Sequence, residues 1–457
     1  MQRLTPVSTL VSALQSNIPA PGYGIIRDIS TSSLQRLAAG APANRPTTLT
    51  LKLPKTFKRT PNLRFQSTNP TPKPKMTDST THPLTGLWQP TQVQKLHYGS
   101  GSVEKHLLSC LPSSSSKAFI ITGSSLATKT PLVKTVEQLL GPKHAGTFSR
   151  IGQHAPVADL DAATDLVRNG GSGESPIDTV ISIGGGSPID SAKAISHRLH
   201  AQSGKWLFHI AIPTTLSASE CTMIAGYTEA NGMKTGIRGQ ELVPHVVLYD
   251  ASFALHTPER LFASTGLRAL DHAIELLYHP TASEMPARWC CLQAAASLFT
   301  NLPLYKENPK DEDIITKLQL AAFASLGLLG TNLKGGLGLS HALGYALGSP
   351  YAIPHGITSC LTLGHVVKLK SRDPAAAEQV SRLLPFLGER ASGDAQQDAE
   401  KVGDKVLGLV RVLGLDSDLK AYKVGKEEIP VIVKRATGTE SGEVYDAVEG
   451  LVEKLFV

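Results

Sequence analysis

Gly184-Gly185-Gly186-Ser187-Pro188-Ile189-Asp190-Ser191-Ala192-Lys193 follows the apolar run Val180-Ile181-Ser182-Ile183 and opens a helical pattern that extends to His200. The four residues before the glycines are β-prone and read as a buried strand. Beyond the glycines, Ile189, Ala192, Ala194, Ile195 and Leu199 recur at helical spacing. A strand, three glycines and a helix make a phosphate-binding turn, with free N–H groups and the positive end of the helix dipole facing the anion. The glycines keep every Cβ out of the path of a pyrophosphate, and Pro188 suits the first helical position. The spacing is neither G-x-G-x-x-G nor a Walker loop ending in Gly-Lys-Ser. On the glycines alone, a plain strand-to-helix turn without ligand stays open beside the anion site.

Working outward, Lys117 to Thr122 reads as a first strand ending at Gly123, with a helix over 130–140. A strand over 146–151, a helix over 159–168 and a glycine-rich loop over 169–175 lead into the central strand. Further strands are expected over 207–212 and 246–250. Strands alternating with helices predict a parallel α/β sheet. Thr257-Pro258-Glu259-Arg260 then has the look of an N-cap and first-turn proline, and the patterns from there to Val457 are helical. The expected fold is an α/β N-terminal dinucleotide-binding domain over 77–256, followed by an all-α C-terminal domain over 257–457.

The 457 residues suffice for two cores, and 41% hydrophobic with 18% charged residues is a globular composition. No apolar run is long enough for a membrane span. The five cysteines show no metal-ligand spacing and fit a reducing compartment. The net charge of +7 is misleading, because residues 1–76 hold eleven Lys and Arg against the single acid Asp28. The remainder is mildly acidic, which gives no case for nucleic acid binding. Residues 1–76 are rich in Ser, Thr and Pro without apolar periodicity and are expected to be disordered. An acid-poor, Arg-containing leader matches a mitochondrial transit peptide, with Leu63 to Thr68 as processing region. An unstructured tail, or a true start at Met76, remains the alternative, so the expected location is the mitochondrial matrix or the cytoplasm.

The run G-G-G-S-x-x-D-x-A-K resembles the signature of the iron-containing (group III) alcohol dehydrogenases. That dehydroquinate synthase-like superfamily also holds glycerol dehydrogenase and maleylacetate reductase. The resemblance implies NADH or NADPH, with its pyrophosphate on Gly184, Gly185, Gly186 and Ser187 and with Asp190 part of the cofactor site. Pro213-Thr214-Thr215-Leu216-Ser217-Ala218-Ser219 resembles the family's second cofactor segment, which implies contacts from Thr214, Thr215 and Ser219. Members that use NAD often carry Asp at the end of the first strand, where this chain has Gly123. Without that carboxylate a 2′-phosphate is not repelled, and Lys129 stands near enough in sequence to meet it. The resemblance further implies a small-molecule substrate and a homo-oligomer such as a dimer.

His272, His341 and His355 each read alone as surface or core histidines. Together they resemble the family's metal region: an Asp, a His four residues on, and two further His fourteen apart. His341 and His355 have that spacing, so the resemblance implies iron or zinc on His272, His341 and His355. The Asp position, however, is Arg268. Residues i and i+4 share a helix face, so Arg268 is expected to point with His272, and a guanidinium cannot coordinate a metal. Asp271 is expected to point about 100° away from its neighbour and not to replace the ligand. Arginine forks onto carboxylates, so Arg268 either binds an acidic substrate where the metal would sit or turns outward into a salt bridge. Maleylacetate reductases resemble the first case: they lack the Asp ligand and reduce maleylacetate to 3-oxoadipate without metal. Tyr345 stands one turn beyond His341, where many alcohol dehydrogenases of the family carry another His.

The expected catalytic set is Arg268, His272, His341, Tyr345 and His355, in an NAD(P)H-dependent, maleylacetate reductase-like oxidoreductase. The alternative is a metal-dependent alcohol dehydrogenase or aldehyde reductase. A dehydroquinate synthase-like lyase needs a Lys- and Arg-rich site that is not found here. A silent dinucleotide-binding protein with the same fold stays open.

Overall fold

Eight short strands carry the first half of the chain in the computed structural model, which describes residues 87–170, 176–232 and 234–457. The leader, its processing region and residues 171–175 of the glycine-rich loop lie outside the described residues. Strands β1 (Lys95–Tyr98), β2 (Ala118–Thr122), β3 (His144–Phe148), β4 (Thr179–Gly184), β5 (Phe208–Pro213) and β8 (Val246–Tyr249) form one sheet, ordered β1-β8-β5-β4-β2-β3. Every neighbouring pair is parallel. β2, β4 and β8 are buried throughout, as continuous apolar runs should be when helices cover both faces. The covering helices in this half are α1 (Ser102–His106), α2 (Ser124–Lys129), α3 (Leu132–Leu140), α4 (Val157–Arg168) and α5 (Gly186–Ser203).

β2 leads outward to β3, whereas β4 leads the other way to β5. The strand order therefore reverses between β2 and β4, and a crevice opens at their carboxyl ends, where ligands bind in such sheets. Strands β6 (Ile224–Thr228) and β7 (Lys234–Arg238) form a separate antiparallel hairpin in which Thr228 pairs with Lys234. Sequence reasoning missed this hairpin and β1, because both are short and half polar. It also placed β3 two to three residues late and overlooked α2.

From Ala251 on, all described regular structure is helical. The elements are α6 (Ala251–Ala254), α7 (Glu259–Leu277), α8 (Trp289–Glu307), α9 (Glu312–Leu326), α10 (Leu339–Leu347), α11 (His355–Lys370), α12 (Pro374–Ser381), α13 (Ala395–Val412), α14 (Ile429–Thr437) and α15 (Glu443–Lys454). They enclose one apolar core running from Leu216 to Phe456. α7 is its axis and is buried at every position from Phe262 to Leu277. A helix covered on all sides presents polar residues to protein whichever way they point. No helix among the described residues is long and apolar enough to cross a membrane.

Two helix starts differ from expectation. α5 begins at Gly186 with Gly185 as its N-cap, so Pro188 is the third helical residue rather than the first. Thr257 does not cap α7, whose N-cap is Pro258. The Thr257 hydroxyl instead donates to the Thr214 carbonyl at 2.7 Å and so ties the helical half to the end of β5.

Candidate active site

The phosphate turn is shaped by two different demands on glycine. Gly184 has φ 135°, outside the range of ordinary side chains. Gly185 has an ordinary φ, but a Cβ there would stand 3.1 Å from Thr215 Cγ2. The glycine therefore lets the turn and the 213–219 segment close on each other. Thr214 N–H donates to the Gly184 carbonyl at 2.9 Å, and a Cβ on Gly186 would meet Ser217 Oγ at 3.5 Å. The Ser187 hydroxyl accepts the His154 backbone N–H at 3.1 Å. Asp190 Oδ1 takes a short hydrogen bond from Ser219 Oγ, and Oδ2 accepts Gly226 N–H at 3.1 Å. The buried Lys193 ammonium donates to the carbonyls of Ser219, Thr222 and Ile224 at 2.6, 2.9 and 2.9 Å. Asp190 and Lys193 thus lock the segment after β5 against α5. Gly123 caps α2 at the end of β2, across the crevice, with no carboxylate on it.

The second half of the site is a buried charge cluster. Arg268 is 3% exposed and points inward, which removes the outward salt bridge considered above. Its Nη1 donates to Ser359 Oγ at 3.1 Å and Nη2 to His355 Nε2 at 2.8 Å, with Asp271 Oδ2 3.6 Å away. A guanidinium only donates, so the His355 Nε2 lone pair is taken and its proton is on Nδ1. Asp271 Oδ2 accepts the hydroxyls of Ser340 and Ser359 at 2.8 and 2.6 Å. His341 Nδ1 lies 2.6 Å from Glu275 Oε2 and 3.4 Å from Asp271 Oδ1. The His272 ring centroid is 4.9 Å from that of His341. Tyr345, half exposed, stands 5.7 Å ring to ring from His355.

These neighbours split the three imidazoles. Burial, then Arg268, lowers the His341 pKa, but Asp271 and Glu275 outweigh them and the net shift is upward. His272 is held well below the usual imidazole value by burial, His341 and Arg268. His355 is also held well below it, by burial, Arg268 and Lys234. One imidazole is thus set to carry a proton and two to remain neutral. Three buried polar atoms here have no hydrogen-bond partner: His272 Nδ1, His341 Nε2 and Asp271 Oδ1.

Comparison with known proteins bears on both halves. Residues 93–251 match the family model "Iron-containing alcohol dehydrogenase", and residues 262–448 match "Fe-containing alcohol dehydrogenase family, C-terminal". The chain belongs to the iron-containing alcohol dehydrogenase family. It is 33% identical to the maleylacetate reductase of Rhizobium sp. strain MTP-10005 over 65% of this chain and 77% of that protein. It is also 33% identical to the maleylacetate reductase of Sphingobium indicum over 63% and 76%. The crystal structure of the Rhizobium enzyme superposes with a TM-score of 0.66 at 27% identity, over 82% of this chain and 99% of that one. As a member of this family, the chain is an NAD(P)-dependent oxidoreductase.

Within the iron-containing alcohol dehydrogenases, the metal-ligand expectation meets a different donor set here. Among the described residues, the ligand atoms that gather within 4.8 Å of one another belong to Asp271, Glu275 and His341, not to the three histidines. With Arg268 occupying His355 Nε2, a metal on His272, His341 and His355 does not fit the arrangement. Asp271 also departs from expectation. It reaches the cluster because Arg268, Asp271 and Glu275 fall at i, i+3 and i+7 on α7, one shared face. The expectation missed Lys234 altogether: its ammonium lies 5.5 Å above the Tyr345 ring. Burial lowers its pKa, Asp190 raises it and Arg268 lowers it, for a net downward shift. Recognising the hairpin around the Asn231-Gly232 turn was the available signal for it.

Proposed function

We propose that this chain is an NAD(P)H-dependent reductase of a small carboxylate-bearing substrate, with the conversion of maleylacetate to 3-oxoadipate as its reaction, and that it works without metal. The observation that carries this reading is the Arg268 guanidinium, fixed by His355 and Ser359 in the position that the family's metal-ligand Asp would take. The two maleylacetate reductases at 33% identity support it. A bound nicotinamide supplies the hydride. The chain's residues do the rest. The turn at Gly184–Ser187 and the 213–219 segment hold the dinucleotide. As hydride reaches the substrate's double bond, negative charge grows toward its carbonyl oxygen, and the positive field of Arg268 and Lys234 stabilises it. The proton that completes the reduction comes from His341 Nε2, which has no protein partner and belongs to the imidazole with the raised pKa. Gly123 leaves room for NADPH as well as NADH.

The second reading, a metal-dependent alcohol dehydrogenase or aldehyde reductase, has the Asp271, Glu275 and His341 donors on its side. Metal analysis of the purified chain separates the two, run beside NADH and NADPH oxidation with maleylacetate and with simple aldehydes. Chelator-resistant turnover of maleylacetate by metal-free protein is expected. Stoichiometric iron or zinc, with aldehyde turnover that a chelator abolishes, would overturn it.

A further inference from the structure

Between the phosphate turn and the charge cluster lies a residue to which neither has assigned a task. His154 follows β3 and has φ 63°, and the next residue, Ala155, has φ 50°. Two consecutive side-chain-bearing residues in the left-handed region are unfavourable, and Asn or Gly at the first would relieve it. Strain of this kind marks places where the side chain has a use. The backbone of His154 is fully engaged. Its N–H donates to Ser187 Oγ at 3.1 Å, and its carbonyl accepts Thr228 Oγ1 at 3.1 Å. Thr228 N–H donates to the Ala155 carbonyl at 3.1 Å, and Thr228 pairs with Lys234 across the hairpin. The loop is thereby clamped with His154 between Ser187 and Lys234, on the cleft side of the sheet. Its Nε2 is buried and has no partner. Burial and then the Lys234 charge lower its pKa, which favours the neutral ring, and in the Nε2–H tautomer that atom has a proton to donate.

The surroundings choose the ligand. Lys234 stands over Tyr345 and feels both the Arg268 charge and the opposing Asp190 carboxylate, which is bonded to Ser219 and Gly226, so two cations face one anion. The field is positive, and a neutral N–H donor set in it suits a carboxylate oxygen. We propose that His154 is a substrate-binding residue whose Nε2–H, beside Lys234, hydrogen-bonds a carboxylate of the bound acid. This rests on the reading of the substrate as carboxylate-bearing, and it adds a contact from the dinucleotide-binding half to those of the helical half.

The test is calorimetric binding of glutarate, a non-reducible dicarboxylate, to the NADPH-loaded full chain and to His154→Asn and His154→Gly. Both substitutions suit the left-handed backbone and keep its hydrogen bonds, so neither should lower the melting temperature. Loss of a hydrogen bond to a charged group predicts glutarate binding weaker by about tenfold or more, with NADPH affinity within about twofold of wild type. No glutarate binding by wild type, equal binding by the variants, an equal loss of NADPH affinity, or unfolding of both variants would each overturn it. Failure of wild type to reduce maleylacetate would instead count against the proposed reaction and is read separately.

Discussion

The two walls of the cleft bind charge by opposite means. On the dinucleotide side, the anion site is backbone: a strand end, three glycines and a helix N-terminus, with side chains such as Asp190 and Lys193 used to brace the loops around it. On the helical side, the site is made of buried ionised or ionisable side chains from three helices, α7, α10 and α11, each neutralised by the others. A backbone site tolerates the loss of a neighbouring side chain, because its N–H dipoles remain. A buried charge set does not, because removing one member leaves its partner uncompensated in a low-dielectric interior. The same contrast separates positioning from chemistry. On the proposed function, the first wall would hold the ligand still and the second would offer a proton and a field.

The largest effect expected from this contrast is that of Arg268→Met. It keeps the side-chain volume but leaves Asp271 with His341 as its remaining cation and His355 Nε2 without its donor. Breaking a buried pair from one side costs about 3–5 kcal/mol, so the urea midpoint should fall sharply and turnover should be lost. Arg268→Lys should recover part of the stability and little activity, since an ammonium cannot reach Ser359 and His355 with one planar fork. A stable, active Arg268→Met chain would mean that the cluster is not interdependent and that the two walls are alike.

How much of each wall was legible in the sequence follows from the same physics. The phosphate turn is contiguous, so Val180 to Lys193 displayed strand, glycines and helix in a row, and β4 and α5 formed there. The charge cluster is discontinuous. His272, His341 and His355 were found through a family spacing, and i, i+4 geometry put Arg268 on the face of His272 while leaving an outward turn open. Asp271 was misjudged because only its divergence from adjacent His272 was weighed, whereas it stands three residues from Arg268 and four from Glu275, on the face they share. Glu275 stood in plain view one turn beyond Asp271, but its partner His341 comes from another helix 66 residues on. Lys234 and His154 were invisible for a different reason. One needs a hairpin recognised and the other a backbone dihedral, and neither leaves an apolar rhythm to read.

Acid should unbalance the second wall before the first. His272 and His355 have folded-state pKa values well below the ordinary imidazole value of 6.5, so the unfolded chain binds more protons as pH falls. Each then withdraws stability below about pH 6.5, up to about 1.4 kcal/mol per pH unit. His341 works in the opposite sense: its raised value gives stability that is fully present below the unfolded pKa and is lost as pH rises through the folded one. His209 is held low by burial in the same way, so the lowered imidazoles outnumber His341 and the urea midpoint should fall between pH 7 and pH 5. Glu275→Gln weakens the hold on the His341 proton, so the alkaline limb of the reductase pH profile should move to lower pH. An unmoved limb would remove His341 as the proton donor.

The smallest stability effect is expected at the turn itself, and it falls on binding. In Gly185→Ala the backbone angles suit alanine, and the new methyl meets the Thr215 side chain first, at 3.1 Å from Cγ2 and 3.2 Å from Oγ1. Accommodating it pushes the 213–219 segment away by a few tenths of an ångström, within the range of overpacking changes of about 1–3 kcal/mol, here at the low end because the contact is one small side chain. Folding should change by less than about 1 kcal/mol, while NAD(P)H affinity, measured by fluorescence titration, should fall by about fivefold or more as the two loops separate. Thr215→Ser in the same background removes the methyl it collides with and should restore affinity. Rescue by that second substitution would show that the glycine serves loop approach rather than chain flexibility. If Gly185→Ala instead unfolded the chain while leaving the dinucleotide affinity of the folded fraction intact, the turn would be a packing element like the charge cluster, and the contrast between the walls would fail at its simpler side.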